Sequence, residues 1–147
     1  MTQKISFTNL EVRHVLAKKK EIRKWFHYCT RYEGKIIAEL AYNFCTDEFL
    51  LNMNKQYLKK DYYTDIITFD YSRQGEIKGD IFISIERVEE NAKEYGVSVF
   101  NELLRVMIHG ILHLCGYKDD TEKGRQQMRR KENKFLEVFY SSKFIIK

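Results

Sequence analysis

The segment from Leu103 to Cys115 places the strongest constraint on the fold, because apolar residues cover nearly its whole circumference when it is drawn as a helix. The apolar residues are Leu103, Leu104, Val106, Met107, Ile108, Ile111, Leu112, Leu114 and Cys115. A helix that is apolar all round has to be buried on every side. The rest of the chain must therefore surround it, which predicts a central core helix.

One polar stripe interrupts this apolar surface. At about 100° per residue, His109 and His113 lie about 40° apart, and Glu102 falls within about 20° of the line through His109. Polar groups are costly to bury without partners, so the stripe needs hydrogen bonds, water or a metal ion. Two imidazoles at i and i+4 can converge on one ion, which favours metal ligation. Gly116 predicts a turn that returns Asp119 and Asp120 past the helix end, where either could add a carboxylate oxygen.

The donor set of two nitrogens and one oxygen favours zinc among the common metals, although nickel, manganese and cobalt remain compatible with it. Three protein ligands leave a fourth position for water, which is the arrangement of a catalytic zinc site. The helix does not carry the metalloprotease motif H-E-x-x-H, because Gly110 follows His109 and cannot act as a base. A glycine there indicates that backbone or ligand comes close.

The chain has 147 residues, 44% of them hydrophobic, which is enough for one sizeable core. It contains no proline, and no segment has the composition of a linker, so we predict a single domain over residues 1–147. The hydrophobic patterns predict an α+β or mixed α/β class, a sheet of about four strands and about five helices. The predicted strands cover 5–7, 35–44, 66–71 and 77–83, and the predicted helices cover 15–32, 46–57, 84–96, 98–116 and 121–139.

Charge and cysteine content constrain partners and location. The net charge is +5, and positive residues cluster in 17–24 and 123–134, which suits either a polyanionic partner or simple solubility. Cys29, Cys45 and Cys115 are odd in number and widely spaced, so we expect reduced thiols in or near the core. Neither a membrane span nor a signal peptide is evident, which predicts a cytoplasmic protein with no membrane partner.

The stretch His109–Asp119 reads HGILHLCGYKD, 53–69 reads MNKQYLKKDYYTDIITF, and 79–84 reads GDIFIS. Together they resemble the YbeY family of ribosomal RNA maturation endoribonucleases, whose hallmark is H-G-x-L-H-L-x-G-Y-D-H. By the register of that hallmark the metal ligands are His109, His113 and Asp119, with aspartate in place of the third histidine. Glu102, Thr64, Asp65 and Asp80 also stand at positions where the family carries the same residues.

The family also has an arginine, thought to meet RNA phosphate, where this chain has Leu58. Lys59 and Lys60 are adjacent, and we take them as the candidate RNA-binding residues. A lysine lacks the bidentate fork of arginine. Either Lys60 or another cation replaces this contact, or phosphate binding is weaker in this chain.

The resemblance implies a metal-dependent endoribonuclease that acts on single-stranded ribosomal RNA, in rRNA maturation and ribosome quality control, with components of the small subunit as partners. A second reading is a ribosome-assembly factor whose metal is structural and whose cleavage activity is weak. A third is a metallohydrolase of small or peptide substrates. The sequence does not identify the catalytic base.

Overall fold

The computed structural model describes residues 4–57 and 64–142, which form one α+β domain with four strands and five helices. The strands are β1 (Ile5–Asn9), β2 (Ile36–Cys45), β3 (Ile66–Asp70) and β4 (Glu76–Ser84). The helices are α1 (Lys19–Tyr32), α2 (Asp47–Tyr57), α3 (Ile85–Tyr95), α4 (Val99–Leu114) and α5 (Glu122–Ser141). The predicted class and the predicted numbers of strands and helices are confirmed within this part of the chain.

The four strands form one mixed sheet in the order β1-β2-β4-β3. β1, β2 and β4 are parallel, whereas β3 pairs antiparallel with β4 at the sheet edge. Gly75 has a φ of 78° in the connection between β3 and β4, a conformation that glycine adopts without steric cost. The predicted strand pair around this turn is therefore confirmed as an antiparallel pair.

Helix α4 lies against one face of the sheet and is the core helix that its sequence predicts. Its apolar side chains are buried almost all round, from Leu103 to Leu114. At Gly110, a Cβ atom would lie 2.9 Å from Cδ1 of Ile81 and 3.1 Å from Cδ1 of Ile66. The glycine thus allows the helix to approach β3 and β4 closely. The sequence predicts that backbone or ligand comes close at Gly110, and in the structure the neighbour is the sheet.

The other helices enclose α4 and cover the sheet. α1 and α5 pack beside α4, whereas α2 covers the opposite face through a smaller apolar cluster of Cys45, Leu50 and Ile67. Two large side chains satisfy their polar atoms across the main core. The Trp25 indole N–H donates to the carbonyl oxygen of Phe135, and the Tyr42 hydroxyl donates to that of Met107.

Hydroxyl caps set the starts of four helices. The side chains of Thr46, Ser84, Ser98 and Thr121 each accept a hydrogen bond from the backbone N–H three residues later. At the start of α1 the sequence prediction was wrong, because the helix begins at Lys19 and not at Val15. Lys18 is left-handed, with a φ of 57°, and breaks the helix there, and Val15 lies outside it with 90% of its surface exposed.

No single helix in 4–57 and 64–142 has the length and apolar character needed to cross a membrane. Taken together α3 and α4 meet those two criteria, but they are bent by 116° relative to each other.

Candidate metal centre

His109 and His113 lie one turn apart on α4 and point the same way. Their ring centroids are 4.6 Å apart, and their Nε2 atoms are separated by 3.0 Å. The two side chains retain 21% and 28% of their exposure, although the rest of the last two turns of α4 is mostly buried. The polar stripe therefore opens at the surface of the domain only near the end of the helix.

A tight turn after α4 brings Asp119 to the two histidines. Gly116 has a φ of 106°, and its N–H donates to the carbonyl oxygen of His113 while the chain reverses. Oδ2 of Asp119 then lies 3.2 Å from Nε2 of His109 and 3.5 Å from Nε2 of His113. Of the two aspartates considered from the sequence, only Asp119 joins the histidines in a group whose ligand atoms lie within 4.8 Å of one another, among the residues that the structure describes.

The hydrogen bonds of the two rings leave their Nε2 atoms available to a cation. Nδ1 of His113 lies 3.0 Å from the carbonyl oxygen of Tyr117, which can only accept, so this nitrogen carries the proton. Nδ1 of His109 lies 2.7 Å from a carboxylate oxygen of Glu132 and donates to it. In neutral rings, both Nε2 lone pairs therefore face each other beside the Asp119 carboxylate. Such an arrangement requires a proton or a metal ion between the three groups.

The separations fit a metal ion. Bonds of about 2.0–2.2 Å to a tetrahedral zinc place two ligand atoms about 3.3–3.5 Å apart. The three separations here, 3.0, 3.2 and 3.5 Å, lie near that range. The His-His-Asp group is therefore one that could hold a divalent metal.

Glu132 orients His109, and sequence reasoning missed it. Its side chain is 6% exposed, and its second oxygen accepts a hydrogen bond from Arg105 at 2.9 Å. Burial disfavours the ionised carboxylate, but the hydrogen bond and charge of His109, together with Arg105, lower the pKa of Glu132. Burial likewise disfavours the charged form of His109, but the carboxylates of Glu132, Asp119 and Asp65 together outweigh it, and the pKa of His109 is raised. A signal for Glu132 exists in the sequence, since it interrupts the buried stripe of α5 formed with Met128, Phe135 and Phe139.

A second set of contacts holds the carbonyl group that orients His113. The hydroxyl of Tyr117 donates to Glu33 at 2.6 Å, and Lys131 donates to the other Glu33 oxygen at 2.9 Å. The ammonium group of Lys131 also lies 5.6 Å from the centre of the Tyr117 ring. Tyr117, whose carbonyl oxygen faces His113, is thus held in place by contacts with the end of α1 and with α5.

Two clefts meet at this cluster, with volumes of about 670 and 450 Å³. His109, Asp119 and Asp65 line both of them. Burial raises the pKa of Asp65. The group that could hold a metal therefore lies where the clefts join and is accessible from both.

The other residues that the sequence analysis named differ in their position relative to the two clefts. Glu102 lines the larger cleft with only 4% of its surface exposed, and burial raises the pKa of its carboxyl group. Thr64 lines the smaller cleft, and its hydroxyl bonds locally to Ile66, whereas Asp80 lines neither cleft. Lys59 and Lys60, the candidate RNA-binding residues, lie outside the described residues, as does Leu58.

The chain is similar to known proteins over most of its length. A family model described as Endoribonuclease YbeY matches residues 5–140. The protein named Endoribonuclease YbeY from Cytophaga hutchinsonii is 49% identical over 135 residues, which cover 91% of this chain and 94% of that protein. The protein of the same name from Bacteroides thetaiotaomicron is 48% identical over 119 residues, or 81% of this chain and 87% of that protein. The solution structure of TM1509 from Thermotoga maritima has a TM-score of 0.63 and 26% identity, and the match covers 94% of this chain and 90% of that one.

Proposed function

Because this chain belongs to the YbeY endoribonuclease family, we propose that it is a metal-dependent endoribonuclease that cleaves single-stranded RNA in ribosomal RNA maturation and ribosome quality control. The observation that carries the proposal is the convergence of two imidazole Nε2 atoms and one carboxylate at the junction of two clefts. The substrates are ribosomal RNA and the partners are components of the small subunit. This role places the protein in the cytoplasm, and we assign residues 1–147 to the one domain.

We assign His109, His113 and Asp119 as the ligands and zinc as the ion. Three ligands with one carboxylate among them leave a tetrahedral ion one open position, as in catalytic zinc sites. When bound, the ion would supply the Lewis acidity that polarises a phosphoryl oxygen or a water molecule. The side chains of the three ligands are 21%, 28% and 41% exposed, which favours a site that meets substrate over a closed structural one.

The protein's own residues orient the proposed ligands and accept the proton that the attacking hydroxyl group or water molecule loses. Glu132 and the Tyr117 carbonyl group fix the tautomers of the two histidines, so that both Nε2 atoms are presented unprotonated to the ion. Asp65 is our candidate for the group that takes the proton, because it lines both clefts beside His109 and its pKa is raised by burial. Lys59 and Lys60 would contact the RNA backbone.

The test is to measure the zinc content and the cleavage of single-stranded ribosomal RNA fragments for wild type, Asp119→Ala and Asp120→Ala. We expect stoichiometric zinc and metal-dependent cleavage in wild type and in Asp120→Ala, and loss of both in folded Asp119→Ala. Equal loss in the two variants would contradict the ligand assignment. Bound zinc without cleavage would favour the assembly factor with a structural metal, and cleavage of peptides but not RNA would favour the third reading.

A further inference from the structure

The wall of the larger cleft formed by α5 carries exposed arginines. Arg125, Arg129 and Arg130 all line this cleft, and the first two side chains are 55% and 59% exposed. Arg125 pairs with the exposed Glu122, whereas Arg129 reaches Glu132 only at 3.9 Å. Arg130 forms no ion pair with any residue in the described part of the chain. The guanidinium groups of Arg129 and Arg130, which are weakly paired or form no ion pair with the described residues, can therefore bind an incoming anion.

The wall formed by α3 carries an aromatic ring. Tyr95 is the last residue of α3, lines the same cleft, and is 58% exposed. Its ring and hydroxyl make no stacking contact or hydrogen bond with the residues that the structure describes. Asn91 lies one turn earlier and lines the cleft with an amide group that can both donate and accept. An exposed aromatic ring beside an amide is a surface on which an unpaired base can stack and form hydrogen bonds.

The cleft also contains carboxylates, but these are placed or paired so that they do not oppose an anion at its mouth. Glu132 is buried against His109 and Arg105, and Asp119 faces the two histidines. Asp65 lies where the two clefts join, within the influence of the charge of His109, and is not part of the α5 wall. Glu102 is 4% exposed, and the exposed Glu122 is held by Arg125 and Gln126. The accessible charge along the α5 wall is therefore positive, and a dication at the histidines would add to it.

We propose that the cleft between α3 and α5 binds a nucleotide of single-stranded RNA adjacent to the scissile bond, with its base on the Tyr95 ring and its phosphates on Arg129 and Arg130. The volume of about 670 Å³ falls within the range of about 300–1,000 Å³ that is usual for ligand pockets. Stacking on a protein ring requires a base free of its partner strand, so this site selects single strands. The inference rests on the proposed function for the nature of the substrate, and it assigns phosphate contacts to α5 of this chain.

The test is the affinity of zinc-loaded protein for a short fluorescein-labelled single-stranded oligoribonucleotide. Fluorescence anisotropy is read within a time, set by gel electrophoresis, in which the oligonucleotide is not yet cleaved. We expect Tyr95→Ala to raise Kd by about 5- to 10-fold, as for loss of one stacked base, and Tyr95→Trp to restore the affinity. Tyr140→Ala is the matched control, because Tyr140 is 57% exposed and does not line the cleft.

The arginine contacts are tested by salt dependence. We expect Arg129→Gln and Arg130→Gln each to reduce the slope of log affinity against log salt by about 0.7, as for one phosphate contact with a single strand. Arg73→Gln is the control, because Arg73 is exposed in the connection between β3 and β4, away from the cleft. An equal change in Arg73→Gln, or unchanged affinity in both Tyr95→Ala and Arg129→Gln, would overturn the proposal.

Binding and cleavage together separate this inference from the proposed function. If the wild type binds RNA through Tyr95 but does not cleave it, the cleft assignment stands and the nuclease proposal fails. If RNA is cleaved with wild-type KM in Tyr95→Ala and Arg129→Gln, the nuclease proposal stands and the cleft assignment fails.

Discussion

Replacing Glu132 with glutamine tests whether the candidate metal centre depends on a residue that is not a ligand. One oxygen of Glu132 accepts from Nδ1 of His109 at 2.7 Å, and the other accepts from Arg105 at 2.9 Å. Glutamine has nearly the same shape but offers only one acceptor oxygen, and its NH₂ group must face a second donor. The variant therefore loses the negative charge and either frees the His109 ring or leaves Arg105 with Asn133 as its remaining partner.

The expected cost follows from the burial of this carboxylate. Its side chain is 6% exposed, so water replaces the lost contact poorly. A hydrogen bond to a charged group contributes about 1.5–3 kcal/mol. Loss of a residue that orients a metal-bound histidine commonly weakens metal affinity by about 10- to 100-fold, equivalent to about 1.4–2.7 kcal/mol. We expect Glu132→Gln to weaken zinc binding within that range.

Competition with a chromophoric chelator measures the zinc Kd, and circular dichroism confirms that the variant is folded. Glu122→Gln is the matched control, because Glu122 is a carboxylate on the same helix but is 72% exposed and pairs only locally with Arg125 and Gln126. It should leave the zinc Kd unchanged. A folded Glu132→Gln protein with wild-type zinc affinity would refute the argument that Glu132 holds His109 for the metal.

Three further predictions concern the surroundings of the centre. Alanine normally stabilises a helix relative to glycine, but Gly124→Ala would place Cβ 2.4 Å from the carbonyl oxygen of Lys118 and push the preceding loop, so we expect lower thermal stability and weaker zinc binding. Tyr117→Phe removes the hydrogen bond to Glu33 and should lower the free energy of unfolding in urea by about 1 kcal/mol. Burial raises the pKa of Cys45 to about 12, so Ellman's reagent should label this thiol near neutral pH only as fast as the protein unfolds, and faster labelling would contradict its burial.

The features that the sequence predicts correctly are those set by local chemistry. The burial of α4 follows from its continuous apolar surface, and its end follows from Gly116, whose φ is 106°. The shared direction of His109 and His113 follows from helical spacing alone. The starts of the helices after Thr46 and Ser84 follow from hydroxyl caps, which act within one turn. In each case, the interaction that determines the feature joins residues that are close in sequence.

The features that the sequence does not reveal depend on contacts between distant residues. Glu132 meets His109 across 23 positions, and Glu33 meets Tyr117 across 84. Local patterns carry no information about which helices lie side by side, so the partner of His109 and the contacts that hold Tyr117 could be recognised only after α1, α4 and α5 were packed together. The walls of the larger cleft have the same origin, because Tyr95 and Arg129 belong to helices that are separated in the chain by the whole of α4.

The ligand set that we propose carries a different charge from the family hallmark, and α5 can compensate for it. With Asp119 as the proposed third ligand, an anionic group stands where the hallmark has a neutral histidine, which would reduce by one the positive charge that the centre can direct at a phosphate group. The buried negative charge of Glu132 does not reduce the positive charge of the centre further, because Arg105 pairs with it. Arg129 and Arg130 lie on the wall of the same cleft and extend into solvent, where a phosphate can reach them. A centre with a weaker field of its own would thus rely more on these side chains for substrate binding than an all-histidine centre does, and its RNA affinity should fall more steeply with salt.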